Sequence, residues 1–235
     1  MAEYVLTDCK FYFNEYNLSG DMNALALNYS ADMQENTSFS KDTHQFLGGL
    51  KSVTLGHEGY FSAGTDEVDP TLFTNIATAN SVISIGPTDG ADGEVAYTMQ
   101  SILSEYSPGA SIGEVMAFSV SAEANGDGLV RGTVMHNSSV SGSGDGTARQ
   151  LGAVASGESV YASLHVLSGS GSLDVVVQSD DNGSMTSATN RITFTNATAK
   201  TSEWMSLAGA VTDDYWRVNY TVTGTFNFVV VIGIK

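Results

Sequence analysis

The sequence contains almost no cysteine and very little proline. Cys9 is the single cysteine among 235 residues, so the chain can form neither an internal disulfide nor a zinc site that needs two of its own thiolates. It has 3 prolines against 25 glycines. Turns must therefore be made mainly by glycine, asparagine, aspartate and serine, and such a composition favours many short β-strands.

Basic residues are also scarce. The chain has 9 lysines and arginines against 26 aspartates and glutamates, and its formal net charge is -17. A surface that binds phosphates needs clustered lysine and arginine, and the sequence has no such cluster, which argues against direct nucleic-acid binding. Residues 1–130 hold 18 acids and 3 bases, whereas residues 131–235 hold 8 acids and 6 bases. This asymmetry reflects either a general need for solubility or an acidic surface confined to the first half.

Long apolar runs are missing as well. No stretch approaches the roughly 18 apolar residues that a membrane-spanning helix requires. The start, MAEYVLTDCK, has no basic region followed by an apolar segment, so we expect no secretory signal and folding in a reducing cytosol. Hydrophobic residues still make up 42% of the chain, enough for the core of one large β domain or of two ordinary ones.

Apolar and polar residues alternate with the period of a β-strand through much of the chain. NALALNY and KSVTLGHEGYF are examples in the first half, and ANGDG between two such segments predicts a hairpin turn. One segment has helical periodicity instead. Asp69 can cap a helix, Pro70 suits its first turn, and an apolar face follows, so we predict one short helix over residues 70–79.

The alternating pattern is interrupted by NSSVSGSGDG, which has almost nothing to bury. We interpret it as a flexible linker or exposed loop. The prediction is a mainly β protein. An antiparallel β-sandwich or partly closed barrel with one short helix occupies residues 1–138, and a glycine/serine linker residues 139–149. A second β-sandwich, jelly-roll or immunoglobulin-like, occupies residues 150–235.

Nothing in the sequence singles out a catalytic centre. The four histidines share no spacing with one another or with Cys9, and no nucleophile elbow precedes a helical pattern. The turns DGADGE and SDDNGS offer carboxylates to a calcium ion, but aspartate and glycine are also the ordinary residues of turns. We therefore predict no enzyme activity, no cofactor and no metal site.

Aromatic residues in the second half leave two interpretations open. They form either a stacking platform for a cell-surface glycan or part of the sandwich core. The residues concerned are Trp204, Tyr215, Trp216 and Tyr220.

A long polar stretch, TSFSKDTHQFLGGLK, occupies residues 37–51. It separates two alternating segments and contains Gly48 and Gly49 in succession. Connections of this length inside a compact domain are usually either functional or disordered.

In the order and spacing of these features, residues 1–136 resemble the major tail protein of long, non-contractile phage tails, the siphophage type. YNLSGDMNALALNY resembles the opening strands of that family, and MQENTSFSKDTHQFLGGLKSVTLGHEGYF resembles its long loop. DPTLFTNIA resembles the single helix, and GEVAYTMQSILSEYSPGASIGEVMAFSVSAEANGDGLVRG the closing strand pairs. The second half resembles the β-sandwiches that decorate the outside of such tubes.

The resemblance implies a structural virion protein that self-assembles into stacked, hexameric rings and forms the conduit for the genome. It implies tape-measure and tail-terminator proteins as partners, DNA that passes the lumen without specific binding, and a location in the tail, assembled in the host cytoplasm. The loop 32–51 would contact a neighbouring subunit. The implied contact residues are Phe39, Lys41, Phe46, Leu47, Gly48, Gly49 and Lys51.

Two other functions remain open at this stage. One, of the same structural class, is a capsid decoration or tail-terminator protein. The other is a carbohydrate-binding adhesin that uses the second sandwich.

Overall fold

The structure is a computed structural model that describes residues 5–235. Over that range the chain is mainly antiparallel β with one α-helix, as the sequence predicts. The strands are β1 (Lys10–Phe13), β2 (Tyr16–Asn17), β3 (Met22–Glu35), β4 (Phe46–Tyr60), β5 (Ser81–Gly86), β6 (Val95–Gly109), β7 (Ala117–Val140), β8 (Gly144–Asp145), β9 (Arg149–Gln150), β10 (Ser159–Asp180), β11 (Thr189–Thr193), β12 (Thr201–Ala208) and β13 (Tyr215–Ile234). The helix, α1, is Val68–Thr74.

Helix α1 begins earlier and ends earlier than the predicted helix over residues 70–79. Val68 and Leu72 are buried, and Asn75 is already outside the helix. Ala77 then takes a φ of 59°, and Ile76 forms a bridge with Leu103 of β6. Pairing with a strand thus replaces the final turn that the apolar periodicity predicted, because tertiary contacts override helix propensity.

The strands form one connected sheet with the order β11-β10-β13-β7-β6-β5-β1-β2. Strand β7 links its two halves. Residues 117–123 of β7 pair with β4, whereas residues 132–140 pair with β13. Strands β10 and β13 pair along almost their whole length, from Val160 opposite Ile234 to Asp180 opposite Tyr215.

Two large apolar cores lie on this framework, with a small one between them. The first half packs Phe11, Phe13 and Leu72 together, and the second half packs Trp216 and Phe226. The small core between them contains Tyr12, Ala96, Val134, Val229 and Val231. The two halves therefore share a buried seam as well as a strand.

The flexible linker predicted over residues 139–149 is absent from the structure. Strand β7 continues to Val140, and β8 and β9 both pair with β13. The backbone N–H of Val222 also donates to the Ser143 hydroxyl at 2.9 Å. Composition could not reveal this pairing, because main-chain hydrogen bonds do not depend on side chains. The division into two independently folding domains remains a prediction.

The ANGDG segment is likewise not a hairpin turn. Strand β7 stays paired with β6 on both sides of it, from Asn125 opposite Gln100 to Val130 opposite Thr98. Residues 126–129 form a bulge in which Gly126 and Gly128 take φ values of 68° and 70°. Because glycine has no Cβ, both positions can take a positive φ that other residues rarely adopt, and the bulge depends on this freedom.

Candidate self-assembly surface

The most exposed part of the chain is the hairpin formed by β3 and β4. The two strands pair from Met22 opposite Gly59 to Glu35 opposite Phe46. Only residues 54–60 of β4 also pair with β7. Every residue from 28 to 52 is exposed to solvent, and we call this segment the arm. At strand spacing, its paired portion alone extends roughly 25 Å from the body.

The arm is more ordered than the polar connection that the sequence indicates. Only residues 36–45 lie outside the strands. The Asn36 N–H donates to the Gln45 carbonyl at 2.9 Å, and the Gln45 N–H donates to the Thr37 hydroxyl at 3.0 Å. The His44 Nδ1 lies 2.6 Å from a Glu35 carboxylate oxygen, and this contact lowers the pKa of Glu35. These bonds close the tip without help from the rest of the chain.

All seven predicted contact residues lie on the arm. Gly49 has a local reason to be glycine, since a Cβ there would lie 3.1 Å from the carbonyl oxygen of Asp32 on the facing strand. Gly48 faces open space. Lys51 Nζ lies 5.9 Å from the centre of the Tyr29 ring. The two glycines are thus part of strand β4.

Large apolar side chains on the arm have no cover within the described chain. Phe39 is fully exposed, and Leu50 is 82% exposed. The other exposed apolar side chains of the arm are Tyr29, Met33, Phe46 and Leu47. Monomeric soluble proteins rarely display so many neighbouring apolar groups, so the arm has the character of an interaction surface.

The arm belongs to a four-stranded layer with the order β3-β4-β7-β6, in which every neighbouring pair is antiparallel. In residues 5–235, β3 pairs with β4 alone, so its outer edge is open along Met22–Glu35. Strand β5 pairs with β6 only up to Ser101, which leaves the outer edge of residues 105–109 open too. The two edge strands run in opposite directions, so the β6 edge of one copy can pair with the β3 edge of another in antiparallel fashion.

The face of this layer that points away from the core carries small side chains and acids. Gly56 lies between Ala26 and Ser121, and Glu58 lies between Ala24 and Ser119. Glu123 and Glu105 follow on the same face, opposite Thr54 and Ser121 respectively. No lysine or arginine occurs in residues 22–35, 54–60, 101–109 or 117–123. The acids on this face therefore have no lysine or arginine beside them in these strand segments.

No protein-family model matches the chain, and no curated protein matches it. Several solved structures resemble part of it. A chain from the virion of a native gene transfer agent particle is 13% identical, with 52% of this chain and 93% of that chain covered and a TM-score of 0.43. A chain of the PVC sheath-tube complex of an extracellular contractile injection system is 14% identical, with 56% and 94% covered and a TM-score of 0.43. The SPP1 tail tube subunit is 9% identical, with 52% and 76% covered and a TM-score of 0.41.

The histidines of the described chain offer no metal site. His57 is buried between Phe11 and Phe118, at ring distances of 4.6 and 5.6 Å, and burial lowers its pKa to about 4. Within residues 5–235, no group of three His, Cys, Asp or Glu side chains is arranged to hold a metal ion. In the same range, no helix is long and apolar enough to cross a membrane.

His165 is fully buried at the seam between the halves. Its Nδ1 lies 2.6 Å from the Asn14 carbonyl oxygen, and its Nε2 lies 2.7 Å from the Ser84 hydroxyl. Burial lowers its pKa to about 4. The alternating pattern around His165 could not show that the first half covers this face of β10.

The four aromatic residues predicted as a possible glycan platform do not form one surface. Trp216 is fully buried, and its indole N–H donates to the Gly152 carbonyl at 2.8 Å, so of the two interpretations the sandwich core applies to Trp216. Tyr220 packs against the same core, and Tyr215 lies beside Gly183. The alternating pattern could not distinguish which face of β13 was buried.

Trp204 lies on β12, where it pairs with Ser163 of β10. Its indole N–H donates to the Asp127 carboxylate at 3.1 Å, and the Tyr161 hydroxyl reaches that carboxylate at 3.5 Å. Lys235 Nζ donates to the carbonyl of Asp127. These contacts hold the bulge of β7 against the second half, which gives Trp204 a structural role at the seam.

Proposed function

We propose that this chain is the subunit of a phage-type tail tube, a structural protein that assembles into closed rings and then into stacks of rings. The observation that carries the proposal is the four-stranded layer with two open edges of opposite direction. Pairing the residue 105–109 edge of one copy with β3 of the next continues the antiparallel order. A heterologous contact of this kind generates a ring when the rotation closes.

Ring formation would also solve a physical problem of the isolated chain. Open strand edges are templates for uncontrolled association, and closing the sheet into a barrel removes them. The resemblance of the sequence to major tail proteins favours a hexameric ring. The stacked rings would form a conduit for the genome.

The acidic face of the layer supplies a lining suited to that role. Glu58, Glu105 and Glu123 would face the lumen among small alanine, glycine and serine side chains. Phosphates passing this wall would meet like charges, so DNA would travel through without being bound. The second half, with a net charge near zero, would decorate the outside.

The arm would reach the adjacent ring through its exposed apolar residues and Lys41. The further partners that the proposal implies are a tape-measure protein inside the lumen during assembly and a tail-terminator protein at the end of the tube. The location would be the virion tail, assembled in the host cytoplasm. The proposed function requires no catalysis.

Negative-stain electron microscopy of the purified protein, with sedimentation velocity over a concentration series, tests this function. We expect rings or tubes of uniform diameter at high concentration. A species that stays monomeric at every concentration would contradict the proposal. Single rings that never stack would instead support the capsid decoration or tail-terminator alternative.

A further inference from the structure

We propose that the arm of one subunit docks on the loop of residues 110–116 of a second copy in the next ring. This inference rests on the proposed function, since it names the receiving surface for the arm. The loop connects β6 to β7 and is exposed throughout.

The arm tip and the loop lie at opposite ends of the same layer. Glu35 and Phe46 pair at the arm end of the β3–β4 hairpin, whereas Met22 pairs with Gly59 at its other end. Tyr60 follows at that second end, opposite Ala117, the first residue after the loop. The Phe61 N–H donates to the Met116 carbonyl at 2.9 Å and fixes the end of the loop against β4. When identical rings stack head to tail, these two ends face each other.

The loop end of the layer has the apolar surface that the arm needs. Ile112 is fully exposed and Val115 is 73% exposed, with Met116 and Tyr60 beside them. Across residues 5–235, the exposed large apolar side chains lie on the arm, at this loop end, on or just after helix α1 and in the first residues described. None lies in residues 117–235. The second half therefore offers no comparable apolar surface for the arm.

Charge points to the same pair of surfaces. Glu114 is the single charged residue in 106–117, and Lys41 and Lys51 are two of the three bases in residues 1–130. None of these three side chains takes part in an ion pair within the described chain. Lys41 lies near the arm tip, so it is the base that would reach Glu114 of the next copy.

Cysteine cross-linking tests this contact directly. Lys41→Cys and Glu114→Cys would be combined in a Cys9→Ser background, and assembled tubes would be oxidised gently. We expect a reductant-sensitive ladder of multimers on denaturing gels, because each subunit would be bonded to one in the next ring. Neither single-cysteine variant can give multimers larger than dimers, because each subunit would then have only one thiol. Tubes of the double variant that yield no multimers would overturn the inference.

Assembly of loop variants separates this inference from the proposed function. The double variant Ile112→Asp with Val115→Asp should still fold and form rings. We expect its ratio of single rings to stacked tubes to be at least tenfold higher than that of the wild type. Phe73→Asp is the matched control, because Phe73 is 69% exposed but lies on helix α1. Normal tubes from the loop variant would overturn the docking site and leave the tube function intact. Absence of rings from the wild type would instead contradict the proposed function.

Discussion

At the scale of single residues, the molecule contains neutral histidines in places where a charge would be costly. His57 is enclosed by aromatic rings, and its Nδ1 has no hydrogen-bond partner. His165 is enclosed by the seam, where it contacts Asn14 and Ser84. Burial lowers the pKa of both imidazoles to about 4, from an ordinary value of 6.5.

Acid should therefore destabilise the fold before it protonates these histidines in the native state. Above pH 6.5 both are neutral whether the chain is folded or unfolded, and they have no effect. Between pH 6.5 and about 4 only the unfolded chain binds the proton, so each histidine lowers the free energy of unfolding, by about 2 kcal/mol at pH 5. Urea unfolding at pH 7.5 and pH 5 measures this loss.

A matched pair of variants assigns the effect. His57→Phe should reduce the loss between pH 7.5 and pH 5, because the ionisable group is gone and an unpaired buried nitrogen goes with it. Leu50→Gln should leave it unchanged, since Leu50 carries no ionisable group and is 82% exposed on the arm. Equal pH dependence in both variants and the wild type would contradict the assignment.

Two glycines offer a second test at this scale. A Cβ on Gly59 would lie within 3 Å of Phe118 and closer still to the Asp21 carbonyl oxygen. Gly59→Ala should therefore lower the free energy of unfolding by about 1–3 kcal/mol, as overpacking does. Gly48→Ala is the control, because its Cβ would face open space. Thermal unfolding of both variants checks the difference. Equal melting temperatures of Gly59→Ala and Gly48→Ala would contradict the prediction, because β4 would then have shifted to make room for the methyl group.

At the scale of elements, the arm is a hairpin that its own fold does not need. Its backbone is paired, yet every residue from 28 to 52 is exposed, so it contributes little apolar burial to the cores. An element of this kind is retained for contacts outside the chain. Assembly and folding should therefore be separable by changes in the arm.

Shortening the arm tests that separation. Residues 32–50 would be replaced by an Asn-Gly turn, which suits a two-residue hairpin connection between Ala31 and Lys51, cross-strand partners in the native hairpin. We expect a melting temperature within a few degrees of the wild type and rings that do not stack. Circular dichroism and electron microscopy give the two readouts. A variant that forms normal tubes would refute a role for the arm in stacking.

The strands and the helix also show which features of the fold could be predicted from the sequence. Alternation found the strands, and Pro70 with the apolar face of Leu72 located the helix to within a few residues. It missed that residues 46–51 form a strand, because Gly48 and Gly49 have no side chains to alternate. It missed the paired segment after Val140 for a related reason, since those backbone bonds depend on β13, far away in the sequence.

At the scale of the whole molecule, the two halves make buried and polar contacts with each other in addition to being joined along the chain. Strand β7 runs through both, the small core around Val134 and Val229 lies between them, and Lys200 forms an ion pair with Asp66 across the seam. The sequence predicted the contrast in charge between the halves. It could not predict the seam, because the buried faces belong to residues more than one hundred positions apart, such as Tyr12 and Asn137.

Limited trypsin digestion examines this continuity. We expect the first cut at Lys41 or Lys51 in the exposed arm, and slow cleavage at Arg149, where β9 is paired with β13. Proteolysis prefers exposed segments whose backbone bonds can open. Mass spectrometry of early fragments identifies the site. Early cleavage after Arg149 would favour the two-domain division with a flexible linker.

The number of strands in the open layer has a consequence for how such a ring could change. In the proposed ring each copy would contribute four strands, so the alternation of direction would be preserved at every junction, whatever the number of copies. Ring size is then set by curvature and contact geometry, and strand polarity places no limit on it. A copy that gained one strand at an edge would force a parallel junction into every interface, whereas a copy that gained a hairpin would not. The layer can therefore grow or shrink by pairs of strands.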